Sequence, residues 1–297
     1  MNGAQNGVTQ EVRQGIWLRL LAAFLITAMS AAVHEAAKTA AIGQIMFWRS
    51  IVALVPITIY MAVRSEFPAA LWTRRPGLHV TRGLFGAFSM AMSFVSLAYL
   101  PVANAQALAF LAPILVLPLA ALWLHETVGL RLYVAVGVGF CGVVALLWDA
   151  FETPGQGALI GVLAGLAYAV TMAVVRVHTK RMTVTERPST IALYFAITSG
   201  LVGLMTLPFG WVAATGPTLV WLLAAGLLGG LAHIASNEAV LRSPVSTLAP
   251  FDFTSLLWAL LFDVVIFAQL PGAMGLVGMA LVTLAAIYVA IRPIRAP

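Results

Sequence analysis

The sequence predicts an all-α integral membrane protein with ten transmembrane helices arranged as a 5+5 inverted repeat. Three observations carry that prediction. Hydrophobic residues make up 62% of the 297-residue chain and charged residues only 9%. Soluble domains are about a quarter charged, so these charges are too few to cover a water-facing surface. A stretch of 42 residues, 83–124, contains no Asp, Glu, Lys, Arg or His. As one helix it would run roughly 63 Å, twice the ~30 Å hydrocarbon core, so it is expected to cross twice. Finally, the apolar segments fall into two sets of five with the same lengths and order. An odd number of crossings per set makes the two halves run in opposite senses.

The elements follow in order. Residues 1–15 are polar, contain glycine and are expected to form a tail. Span 1 covers 16–37. Arg13 and Arg19 before an apolar run mimic a signal peptide, but similar runs recur to the far end of the chain, so no cleavage is expected. Span 2 covers 43–63, with Pro56 inside it, and a polar loop follows with Arg64, Glu66, Arg74 and Arg75. Spans 3 and 4 cover 80–98 and 102–124. Pro101 marks their fold point, because it lacks a backbone donor and disfavours helix at Leu100. Span 5 covers 131–148, and Asp149 and Glu152 follow it. Span 6 covers 157–178, and Lys180, Arg181 and Arg187 follow. Spans 7 to 10 cover 189–209, 217–239, 245–267 and 272–291, and residues 292–297 form a second short tail. The two repeats are therefore 16–148 and 157–291.

Lys and Arg orient the chain. Arg13, Arg19, Arg64, Arg74, Arg75, Arg82, Arg131, Arg176, Lys180, Arg181, Arg187, Arg242, Arg292 and Arg295 fall on the side of the termini, and only Lys38 and Arg49 on the other. The positive-inside rule then predicts cytoplasmic termini and a multi-pass protein of the bacterial inner membrane. The net charge of +6 is spread through short loops rather than grouped on one face, so nucleic acid is not an expected partner. Cys141 is the only cysteine; no internal disulfide can form, and the residue is expected to be a small packing group.

Two segments carry a family resemblance. Residues 99–147, YLPVANAQALAFLAPILVLPLAALWLHETVGLRLYVAVGVGFCGVVALL, have a short small-residue loop, Pro113 in mid-span, Glu126 closing span 4 and a glycine-rich span 5. Residues 239–267, AVLRSPVSTLAPFDFTSLLWALLFDVVIF, repeat the pattern with Pro250, but Phe267-Ala268-Gln269 stand where a closing glutamate would be. The chain thus resembles the EamA-type transporters of the drug/metabolite transporter superfamily, and its layout is similar to that of their amino-acid exporters. Arg49 matches a recurrent arginine of that family. The resemblance implies a basket in which spans 1–4 and 6–9 surround a central cavity, with spans 5 and 10 outside. It also implies export of amino acids, aromatic and other large neutral ones, with a drug or another small metabolite as the alternative.

Candidate functional residues are polar or aromatic groups inside apolar spans, where an uncompensated polar atom is costly. His79, Ser89, Ser93, Phe94, Tyr99, Tyr168, Asp252 and Trp258 are candidates to line the cavity. Glu35, Lys38 and Arg49 lie toward one end of spans 1 and 2, close enough to pair, and with Glu238 are gate or charge-pair candidates. Arg82 is expected at the interface, together with His79. Pro113, Pro118 and Pro250 are hinge candidates, since each removes an i to i−4 bond. Gly157, Gly161 and Gly165 make a flat strip expected to serve internal packing. A membrane carboxylate such as Asp252 must be paired or protonated, so both facilitated flux and proton antiport fit. There is no GxxxxGK[ST] phosphate loop, no HExxH and no paired acidic metal motif, so no cofactor, metal, ATP-driven step or enzyme activity is expected. Only Lys38 and Arg49 come near mid-membrane as cations, which disfavours a carrier of anionic phosphates.

Overall fold

A computed structural model describes residues 2–73, 75–112, 114–115, 134, 137–145, 148, 157–182, 185–243, 248 and 251–291. The hinge candidates Pro113, Pro118 and Pro250 lie outside these residues. Among the described residues all regular structure is helical. The α-helices are α1 (Asn2–Ala36), α2 (Ile42–Val63), α3 (Pro76–Tyr99), α4 (Val102–Ala109), α5 (Ala158–Met182), α6 (Pro188–Leu204), α7 (Gly216–Arg242), α8 (Thr254–Val265) and α9 (Ala273–Ile291). Residues 137–145 are also helical. Within α1, α2, α3, α5 and α7 the stretches Gln10–Ala36, Ile42–Val63, Pro76–Tyr99, Ala158–Thr179 and Gly216–Arg242 are long and apolar enough to cross a membrane. The others are shorter apolar helices.

Local chemistry sets the boundaries. Pro76, Pro188 and Pro217 sit in the first turns of α3, α6 and α7, where a missing N–H costs nothing. Leu100, extended before Pro101, ends α3. The residues expected to form a tail are helical from Asn2. No proline interrupts them, and a nucleated helix extends at one bond per residue. Gly15 is seated against Ser243 and Ala239 of α7, and Ser243 Oγ bonds the Val12 carbonyl, so the beginning of α1 has a partner to pack on.

Helices pair through small residues. Helix α1 packs antiparallel on α7, and α3 antiparallel on α5. Helix α2 packs on α6 and α7, α6 on α3, α8 on α1 and α4, and α4 on α5. The Gly157, Gly161 and Gly165 strip is covered from within by Tyr99, Leu100 and Leu108, as internal packing requires. Gly203 brings α6 so near α2 that a Cβ there would stand 2.7 Å from the Gly43 carbonyl oxygen and the Phe47 nitrogen. Outward faces carry Val55, Ile59, Leu84, Phe88, Leu163 and Leu201, all exposed as lipid-facing side chains must be. Cys141, expected to be buried, is exposed; a small apolar group needs no burial where the solvent is lipid. Trp72 is exposed just before α3, where an interfacial anchor belongs, and Trp17 is exposed within α1.

Candidate functional site

The polar groups separate into two ends and an interior. At the basic end of the bundle, where Arg19, Arg64 and Arg242 lie, carboxylates tie helices together. Arg19 grips Asp252 with two nitrogens, one at 2.7 Å from Oδ2, and its third bonds Ser236 of α7. Asp252 is therefore one arm of a fork-shaped ion pair between α1 and the segment before α8. It is not a free carboxylate lining a cavity, because the long Arg19 side chain reaches it from the neighbouring helix. Glu238 accepts from Tyr60 at 2.6 Å, lies 3.3 Å from Arg64 and pairs with Arg242. It is a charge-pair residue between α2 and α7. Glu186 stands 3.4 Å from His79 and accepts from Thr73 at 2.9 Å, and Glu66 accepts from Ser189 at 2.5 Å.

At the opposite end Lys38 pairs with Glu35, three residues earlier, and lies 5.4 Å from the Phe267 ring centre. His34 contacts the Leu97 carbonyl at 2.6 Å and packs on Phe267. Asp263, fully buried, accepts the backbone N–H groups of Val102 at 2.9 Å and Ala103 at 2.6 Å. It caps α4 from α8, with its charge at the positive end of the helix dipole.

Among the described residues the interior holds what the ends do not: cations without carboxylates. Arg49 lies seven residues into α2, about 10 Å from its start, and Arg82 about 9 Å into α3. Both guanidinium groups face Phe195 of α6, with Cζ 5.9 Å and 4.2 Å from its ring centre. Arg49 Nη2 is 3.0 Å from His233 Nε2 of α7. Arginine only donates, so this nitrogen accepts and the ring hydrogen sits on Nδ1. Nε and Nη1 of both arginines are buried without a hydrogen-bond partner. Glycines clear the space: a Cβ at Gly86 would meet Phe195 at 2.8 Å and Arg82 at 3.0 Å, and one at Gly229 would meet Met29 at 2.9 Å and Arg49 at 3.2 Å. A cavity of about 260 Å³ between α3 and α5 has Arg82 in its wall, with Thr81 and His178 among apolar residues such as Phe85 and Val175; Arg49, Phe195 and His233 do not line it.

The sequence-based candidates sort accordingly. Arg49 does not join Glu35 and Lys38, because α2 begins at Ile42 and carries Arg49 two turns beyond them. Arg82 is not interfacial; its stem carries the guanidinium inward onto Phe195. His79 is only 2% exposed and wedged against Tyr194, ring centres 4.5 Å apart, so it belongs to the α3–α6 contact. Ser89 is buried against the Tyr168 carbonyl at 3.5 Å, and Phe94 is core. Tyr99 is 46% exposed and covers Gly157 rather than a cavity. Ser93 and Tyr168 are half-buried. Trp258 meets Phe24 edge-on at 5.1 Å. Phe195 was not legible as a site residue, since one Phe in an apolar span reads as packing. The two glycines facing the arginines were the available signal, but glycine is common in membrane helices.

A bundle of membrane helices that keeps unpaired charged donors inside has the architecture of a membrane transport protein. Residues 13–148 match the EamA-like transporter family. The chain is similar to EamA-like transporters of the drug/metabolite transporter superfamily, and it is a multi-pass membrane protein. It is 29% identical over 222 residues to a riboflavin transporter of Rhizobium johnstonii, covering 74% of this chain and 72% of that protein. It is 25% identical over 281 residues to the pseudopaline exporter of Pseudomonas aeruginosa, covering 93% and 95%. It is 26% identical over 243 residues to an S-adenosylmethionine uptake transporter of Rickettsia felis, covering 82% and 80%. A crystal structure at 20% identity superposes with a TM-score of 0.63 over 92% of this chain and 95% of that one, a likeness of fold. These relatives are transporters rather than enzymes, and they support a small-molecule cargo.

Proposed function

We propose that the chain is a ten-span secondary transporter, built as two inverted five-span repeats over residues 16–148 and 157–291. It moves a small organic metabolite through a central cavity by alternating access. The observation that carries this reading is the pattern of helix pairing. Exchanging α1 with α5, α2 with α6, α3 with α7 and α4 with α8 turns the α1–α7 pair into α5–α3. The same exchange turns α2–α7 into α6–α3 and α1–α8 into α5–α4, and each of these pairs is present. The pairs α2–α6 and α4–α8 map onto themselves. A chain whose halves are alike can repack each half in turn around the same middle, which is what alternating access needs. The positive-inside rule supports cytoplasmic termini in a bacterial inner membrane.

Export of large neutral amino acids is the specific activity proposed. The aromatic interior of Phe195, Phe110, Phe253 and Trp258 suits their side chains. Another small metabolite is the second reading, favoured by relatives whose cargoes are riboflavin, S-adenosylmethionine and pseudopaline. The test is counterflow in liposomes preloaded with unlabelled amino acids, with and without a pH gradient. Exchange of labelled phenylalanine, competed by leucine, supports amino-acid transport. No exchange of any amino acid by folded protein, together with exchange of riboflavin or S-adenosylmethionine, moves the assignment to the second reading. A flux that ignores the pH gradient removes proton coupling.

A further inference from the structure

We infer that the interior between α2, α3, α6 and α7 is an anion subsite, in which Arg49 and Arg82 hold an oxyanion, a carboxylate or a phosphate, carried by the cargo. This rests on the transporter reading above and adds a substrate class to it. The first support is charge. Two guanidinium groups keep their charge at any working pH, and both face the Phe195 ring, with Arg49 bonded to His233. Buried like charges persist only where something of opposite sign offsets them. Among the described residues no carboxylate does. Glu35, Glu66, Glu186, Glu238, Asp252 and Asp263 are each engaged elsewhere, and Glu11 is on the exposed beginning of α1.

The second support is unused hydrogen-bonding capacity. Nε and Nη1 of both arginines are buried and unpartnered. A guanidinium offers its donors as a planar fork that matches a carboxylate or phosphate edge. The third is how the donors are held. Phe195 lies against both guanidinium groups, and His233 occupies one nitrogen of Arg49. The arginines are thereby positioned, and their remaining donors are left free for a guest.

Thermal unfolding of the purified protein in a non-ionic detergent tests this with five probes: acetate, inorganic phosphate, 3-phenylpropionate, phenyl phosphate and phenylethylamine. The two small anions guard against exclusion by size. Anions are expected to raise the unfolding temperature and phenylethylamine is not. The half-maximal concentration should rise about tenfold or more in Arg49→Gln and in Arg82→Gln, the loss of a charged hydrogen bond. Arg49→Lys and Arg82→Lys should fall between, since they keep charge and lose the fork. If the Gln variants do not fold, Arg49→Met and Arg82→Met carry the same comparison. Preference for 3-phenylpropionate over phenyl phosphate assigns a carboxylate, and the reverse a phosphate. The proposal is overturned by no shift with any anion, by an equal shift with phenylethylamine, or by shifts unchanged in the variants. It is overturned as well if only phosphatidylglycerol, added to phosphatidylcholine nanodiscs, stabilises in an arginine-dependent way, which would make this a lipid headgroup site. Counterflow with the same probes separates the two readings. Anion binding with no flux of these probes or of the amino acids and metabolites named above keeps the subsite and removes the transporter; flux of phenylethylamine alone keeps the transporter and removes the subsite.

Discussion

The basic end of the bundle and its interior treat charge in opposite ways. At the basic end Asp252, Glu238 and Glu186 each have a partner on another helix, and the pairs join α1 to the segment before α8, α2 to α7 and α3 to the segment before α6. Ten ångströms into the helices, Arg49 and Arg82 have an aromatic ring, a histidine and, among the described residues, no acid. Partly wet ends make ion pairs cheap to keep and weak in effect. The interior makes an unpaired charge expensive, so its presence marks a place where stability was given up for another purpose. The ends hold the bundle together in one arrangement; the interior is arranged to receive something.

Several substitutions can break or sharpen that contrast. The largest loss should come from Asp263→Ala, which leaves two buried N–H groups of α4 unpaired and should cost about 3 kcal/mol. Thermal unfolding in detergent measures it, and an unchanged midpoint would mean that α4 needs no cap. Next, Arg49→Met with Arg82→Met should raise stability, by about 1–4 kcal/mol, while abolishing transport. A destabilised double variant would show that the arginines are structural and collapse the contrast. Gly203→Ala should cost about 1–3 kcal/mol, since its Cβ would press on α2 backbone, which cannot turn aside. Gly229→Ala presses only on the flexible ends of Met29 and Arg49, so transport should fall several-fold with little change in folded yield. Equal losses in both would place Gly229 with the packing glycines. Smaller still, Asp252→Asn should cost about 0.5–1 kcal/mol, the worth of a half-exposed pair, and leave any pH-gradient dependence of flux unchanged. Loss of that dependence would return Asp252 to a proton-carrying role. Lys38→Ala, with a side chain 52% exposed, should stay within about 0.5 kcal/mol of the parent protein.

Much of the fold was legible because a membrane permits few answers. Every backbone group in the hydrocarbon must be bonded within its own segment, so apolar runs of about 20 residues become helices whatever their neighbours are. The fold point at Pro101 and the packing strip from Gly157 to Gly165 followed from local chemistry. Side-chain partners did not. Arg49 could have met Glu35 as well as His233, and spacing along one helix says nothing of which other helix stands opposite. The same ambiguity left Asp252 open between paired and protonated, when Arg19, more than two hundred residues earlier, holds it.

By itself the sequence determined an all-helical membrane chain, the approximate bounds of its segments, its likeness to a transporter superfamily and the bias of positive charge toward one side. These depend on composition and local order along the chain, which are one-dimensional. The tertiary structure alone decided which charges are compensated. It set Asp252 on Arg19 and Glu238 on Arg64 and Arg242, and it turned Asp263 into a cap for α4. It also brought Arg49, Arg82, Phe195 and His233 from four helices to one place. The reason is physical: the energy of a buried charge depends on what lies within a few ångströms of it in any direction, and those neighbours come from distant segments.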